Sequence, residues 1–139
     1  MGQAPKMRIK RFEVRQAHHP EQSRREDINA WQEARKLTNM IYDATKHTNF
    51  AKDFGLRDQI RRATTSIMSN IAEGYESQSK EDFIRFLYYV KRSAGEVRSQ
   101  LCVARDQKYL EAREYETLLN HAEICVKMIS KFISYLKKS

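Results

Sequence analysis

Between Phe83 and Ala104 the residues Phe83, Leu87, Val90, Ala94, Val97, Leu101 and Ala104 recur at alternating steps of four and three without a miss. Only an α-helix carries such positions on one face, and a stripe this regular is the seam of a helical bundle. Tyr115, Leu118, Ala122, Cys125, Ile129, Phe132 and Leu136 repeat the pattern downstream. Upstream, Trp31, Ala34, Leu37, Ile41 and Ala44 predict a helix over 28–48, and Leu56, Ile60, Ala63, Ile67 and Ile71 predict another that ends near Gly74. The stretch 49–55, closing on Gly55, reads as a turn, and Gly74 as a left-handed helix stop. Ser79, three residues before Asp82, has the chemistry of an N-cap.

Four amphipathic helices joined by short links predict an all-α fold, an antiparallel up-down-up-down four-helix bundle over residues 27–139. The scarcity of turn residues, four glycines and two prolines in 139 residues, excludes a loop-rich or all-β alternative. Residues 1–26 have no lasting apolar period and read as a flexible basic arm. Residues 1–25 of it hold seven basic and two acidic side chains, so five of the eight net positive charges of the chain lie there. The bundle itself is only mildly basic, and polyanion binding by it must depend on where its charges sit. No apolar run approaches the roughly 20 residues that cross a bilayer, and no secretory h-region is present, so a cytoplasmic location is expected. Cys102 and Cys125 read more simply as a reduced, buried pair than as a disulfide.

Catalytic chemistry finds little purchase. His47 and His121 stand apart, with no His-x-x-x-His, Cys-x-x-Cys or Glu-x-x-His spacing for a metal. The glycines at 2, 55, 74 and 95 form no phosphate loop. Glu73 and Glu96 are the candidates for a buried general base, but neither has a nucleophile or electrophile beside it. No enzyme activity, metal or cofactor is expected. Asn70 falls on the apolar face of its helix between Ile67 and Ile71. A buried amide needs partners, and a structural polar network of Ser66, Asn70, Glu73, Ser93 and Glu96 would supply them; a ligand site is the alternative. Ala94 and Gly95 would let two helices approach closely.

The cations of the third helix are sorted. Lys91, Arg98 and Arg105 share one heptad position and Arg85 and Arg92 the next, while Arg57, Arg61 and Arg62 of the second helix could enlarge the field. Seven residues rise about 10.5 Å along a helix, a spacing that suits successive phosphates of a nucleic acid. A solvated face laced with ion pairs is the competing reading. Beside the core stripes run Ile84, Phe86 and Tyr89 on the third helix and Leu119, Val126 and Ile133 on the fourth. This surplus suggests an oligomer interface, or else a broad core.

The run Gln59-Ile60-Arg61-Arg62-Ala63, then Ser66-Ile67 and Ser69-Asn70-Ile71-Ala72-Glu73-Gly74, resembles a bacterial family of four-helix-bundle proteins encoded in intervening sequences of 23S ribosomal RNA genes. Trp31-Gln32-Glu33-Ala34, Glu81-Asp82-Phe83-Ile84-Arg85-Phe86-Leu87, Ser93, Glu96, Gln100-Leu101 and Tyr109-Leu110 extend the likeness over about residues 28 to 137. Arg92 and Ala94-Gly95 depart from it, standing where relatives commonly have Gly and Leu-Ala. The resemblance implies an antiparallel bundle that assembles as a homopentamer. It also implies kinship with the accessory variability determinants of diversity-generating retroelements, which bind RNA or DNA and dock on a reverse transcriptase. The expected function is therefore non-catalytic, homo-oligomeric nucleic-acid binding, with RNA as the polymer. The alternative is an adaptor that docks on a reverse transcriptase or another RNA-processing enzyme.

Overall fold

A computed structural model describes residues 21–139, with side chains at Arg24 and from Asp27 onward. Among them are four α-helices and no strand: α1 Glu21–Ala44, α2 Phe54–Tyr75, α3 Lys80–Asp106 and α4 Ala112–Lys138. α1 packs against α2 and α4, and α3 packs against the same two, so each helix has two neighbours around one core. None of these helices is long and apolar enough to cross a membrane.

α1 departs from the expected 28–48 at both ends. It begins at Glu21, so the last six residues of the expected arm are helical, and the rest of that arm lies outside the described residues. Those first turns carry no apolar stripe that could announce them. At the other end, α1 stops at Ala44, and Thr48 enters the left-handed region at φ 57°. A 3-10 turn, Thr48–Phe50, then drives Phe50 fully into the core. The Phe50 ring stacks on Tyr109 at 5.4 Å, and the Tyr109 hydroxyl donates to Asp53 Oδ2 at 2.9 Å. The Asp53 Oδ1 atom in turn accepts from Leu56 N at 3.2 Å, capping α2. One short segment thus ties the α1–α2 link to the end of α3.

Neither expected glycine turn is made. Gly55 lies in the first turn of α2, Gly74 in its last, and no described glycine has positive φ. What Gly74 provides is room: a Cβ there would lie 3.0 Å from both Phe83 Cδ1 and Phe86 Cβ of α3. Gly95 is the reverse case, since a Cβ there would meet nothing within 4 Å, and the expected close helix approach at Gly95 does not occur. Opposite outcomes follow for one substitution. Gly95→Ala should raise stability by about 0.8–1 kcal/mol from helix propensity alone. Gly74→Ala should forfeit that gain and lose roughly 1–3 kcal/mol to overpacking. Urea midpoints of the two variants, moving in opposite directions from the parent, check both.

Ser79 caps α3 as its sequence position predicts, its hydroxyl accepting from Asp82 N at 3.1 Å. α3 closes with Lys108 left-handed at φ 64°, Lys108 N bonding to Arg105 O and Tyr109 N to Ala104 O, the paired bonds of a Schellman ending. All seven α3 seam residues are buried, and so are all seven of the α4 series. Ile133 joins them at 4% exposure, while Ile84, Leu119 and Val126 are half-buried and packed on the same core. Within a single chain, then, the second stripe mostly broadens the core, and Ile133 is unavailable as an interface residue. Phe86 and Tyr89 are half-buried.

Candidate nucleic-acid interface

The eight cations picked out by spacing do not form one strip. Side-chain partners divide them, because a guanidinium or ammonium settles on whatever carboxylate or ring lies within reach. Arg61 turns toward α1: its Nε donates to Thr45 Oγ1 at 2.8 Å and its Cζ lies 4.5 Å from the Tyr42 ring centroid. Arg57 is held by Asp58 at 2.9 Å, by Ala51 O at 3.2 Å and by the Phe54 ring. Neither widens a field centred on α3. Arg62 does face α3, across a shallow cleft of about 470 Å³ that Gln59, Ser66, Glu96 and Gln100 also line.

On α3 itself the cations lean two ways. Arg85 and Arg92 both lie against the Tyr89 ring, at 5.9 and 5.2 Å, and Arg85 also pairs with Asp82 at 3.0 Å. Arg105 pairs with Asp106 at 3.3 Å and lies over Tyr115 of α4 at 4.6 Å. Lys91, Arg92 and Arg98 have no carboxylate partner among the described residues. Arg92 and Arg98 are exposed and Lys91 is half-buried beside the Tyr88 ring. Of the α3 cations these three are free of an ion pair and can meet an outside anion, since an ion pair already made would have to be broken first.

Tyr88 was not singled out by spacing, yet it stands among these charges with 44% of its surface exposed. Lys137 of α4 donates to its hydroxyl at 2.9 Å and holds its pKa below the usual phenol value. An aromatic three residues before a lysine and four before an arginine is the signal that could have found it.

The polar network exists in smaller form. Asn70 Nδ2 donates to Ser66 O at 2.9 Å and to Ser66 Oγ at 3.0 Å, and Ser66 Oγ lies 2.9 Å from Ser93 Oγ. These bonds pin α2 to α3 and answer the polar cost of a buried Ser93. Glu73 and Glu96 are exposed and stay outside the network, so neither is the buried base considered above. His47 is exposed, and His121 Nδ1 lies 3.9 Å from Glu33 Oε1. No three His, Cys, Asp or Glu side chains among the described residues gather as a metal site.

The family model described as 23S rRNA-intervening sequence protein matches residues 26–131. The chain belongs to that family. Among solved structures it is similar to a protein of unknown function from the S23 ribosomal protein family of Bacteroides thetaiotaomicron, with 26% identity and a TM-score of 0.73 over 78% of this chain and 98% of that one. No curated protein matches.

Both cysteines are free thiols. Cys125 is buried, and burial first, with the Glu33 charge second, pushes its thiol up to about 12; Cys102 is only half-buried, against the expectation of a buried pair. The larger omission was Asp27, fully buried at the start of the α1 core face, where burial raises its carboxyl well above the usual range. Its spacing of four from Trp31 placed it on the apolar stripe, in phase with Ala34, Thr38 and Ile41. Burial also raises the phenol of neighbouring Tyr75, with the Asp27 charge adding and Arg24 opposing.

Proposed function

We propose that this protein is a non-catalytic, homo-oligomeric nucleic-acid-binding protein that takes RNA through the outer surface of α3. The observation that carries the reading is the set Lys91, Arg92 and Arg98: three cations within eight residues of one helix, none neutralised by a carboxylate among the described residues. A charge left free on a rigid rod is what phosphate binding requires, because counterion release rewards each new cation–phosphate pair. The family description, which names 23S rRNA, supports RNA as the polymer.

In this reading the helices run antiparallel, up-down-up-down. Support comes from the last turns of α1 meeting the first turns of α2 at Thr45 and Arg61, and the first turns of α3 meeting the last of α4 at Tyr88 and Lys137. A homopentamer, the assembly the resemblance implies, would gather five α3 surfaces into one field that no single chain supplies. Phe86 and Tyr89, half-buried on α3, are the apolar residues of the second stripe least absorbed by the core.

The test is retention on RNA at several salt concentrations, comparing the parent with Arg92→Gln/Arg98→Gln. Each phosphate contact to a single strand contributes about 0.7 to the slope of log affinity against log salt. Losing two such contacts should flatten the slope by about 1.4. Light scattering should find the assembly unchanged. An unchanged slope and unchanged retention would assign the binding to other residues.

A further inference from the structure

Tyr88 is a large aromatic with nearly half its surface in water, and the charges around it are arranged in an unusual way. Its near neighbours along α3, at three and four residues either side, are Ile84, Arg85, Lys91 and Arg92, so three of the four are cations. From α4, Lys137 adds a fourth positive charge. The position of that ammonium matters. It lies 2.9 Å from the hydroxyl oxygen but 5.3 Å from the ring centroid, so it sits off the hydroxyl end of the ring and does not cover a face. The bond to Lys137 holds the ring by its rim. Lys91 approaches to 5.7 Å of the centroid, near the outer limit of a cation–π contact. Two turns further along the helix, Gly95 carries no side chain, and open space surrounds the position its Cβ would take.

A fixed, exposed ring with phosphate-binding charges beside it matches what single-stranded nucleic acid offers: a flat, apolar base and a charged backbone within one nucleotide. A duplex offers the charge without the flat face, because its bases are stacked on each other. Building on the nucleic-acid reading above, we infer that the Tyr88 ring is a stacking platform for an unpaired base, with Lys91 and Lys137 beside it for the adjoining phosphates. The polymer taken by α3 is then single-stranded at this point. The geometry calls for no particular base, since every base has a π face, and base preference should be weak.

The experiment uses the full-length assembly and fluorescence anisotropy with one oligonucleotide supplied as single-stranded RNA, single-stranded DNA and the RNA duplex. The parent should bind the single strands more tightly than the duplex. Tyr88→Ala should weaken single-strand binding roughly ten- to hundredfold, the range that loss of one stacked base gives, and leave duplex binding unaltered. Tyr88→Phe keeps the ring, loses the hydroxyl, and should stay close to the parent. If Tyr88→Phe falls as far as Tyr88→Ala, the hydroxyl and not the ring is what matters, and the inference is overturned. It is equally overturned if Tyr88→Ala binds like the parent while Arg92→Gln/Arg98→Gln loses retention, an outcome that leaves the nucleic-acid reading standing. A Tyr88→Ala assembly of altered size would place Tyr88 in a subunit interface instead. A parent that retains no polynucleotide sinks both readings together. The RNA and DNA arms tell which sugar the surface accepts.

Discussion

Phe132→Ala should lower the unfolding free energy by about 3–5 kcal/mol, the cost of deleting a large aromatic from a packed core. Phe132 of α4 is 1% exposed and meets Phe83 of α3 edge-to-face at 5.2 Å. Phe83 in turn meets Tyr75 of α2 edge-to-face at 5.5 Å. Three helices are therefore joined by one chain of rings, whose edge-to-face geometry adds about 0.5–1.5 kcal/mol per pair beyond the area buried. Removing the ring leaves a void that rigid helices on three sides can close only in part. Urea unfolding should show the midpoint falling with the slope preserved. Phe54→Ala is the control: that ring is 63% exposed, and its loss should change stability by about 0.5 kcal/mol or less. Equal losses in the two variants would contradict the packing described.

The second large effect is a dependence on pH. Burial disfavours the charged form of Asp27, so its carboxyl in the folded protein titrates well above the usual range. Between the unfolded and folded pKa values the native state binds more protons than the unfolded state, and stability therefore declines as pH rises. The contribution is fully present below the ordinary carboxylate value and is lost as pH climbs through the folded one. Its size is about 1.4 kcal/mol for each unit by which the folded value is raised. Asp27→Asn removes the ionisation and keeps the shape. Unfolding free energies measured from about pH 4 to pH 8 should show the parent losing stability relative to Asp27→Asn across that window. A difference constant with pH would mean that Asp27 is not held neutral. Other carboxylates cancel in the comparison, because both proteins carry them.

The helical seams were legible because burial in a bundle depends on a period of three and four residues, and that period is written directly in residue type. Every seam residue named on α3 and α4 proved buried, and the Ser79 cap formed as its chemistry predicts. Trp31, Ala34, Leu37, Ile41 and Ala44 likewise line the core face of α1, although its ends lie elsewhere than expected. Gly55 and Gly74 misled, since glycine serves both turns and close packing, and residue type does not say which. At Gly74 the deciding fact is Phe83 and Phe86 of another helix.

The candidate site was legible only as a list. Arg61, Arg62, Arg85 and Arg98 are the same residue type, yet one is held by Thr45 and Tyr42 of α1, one borders a cleft, one is paired with Asp82, and one is exposed with no carboxylate partner among the described residues. Which of them can meet a phosphate depends on neighbours from other helices and other turns, and Tyr88 gains its place from Lys137, 49 residues away. The sequence by itself determined the class of fold, the core faces and the family, because these follow from periodicity and local residue patterns. Only the tertiary structure decided which charges are free, which glycine is crowded and that Asp27 is buried. Those properties depend on the distances between side chains remote in the chain, and Coulombic, desolvation and packing energies all vary with those distances.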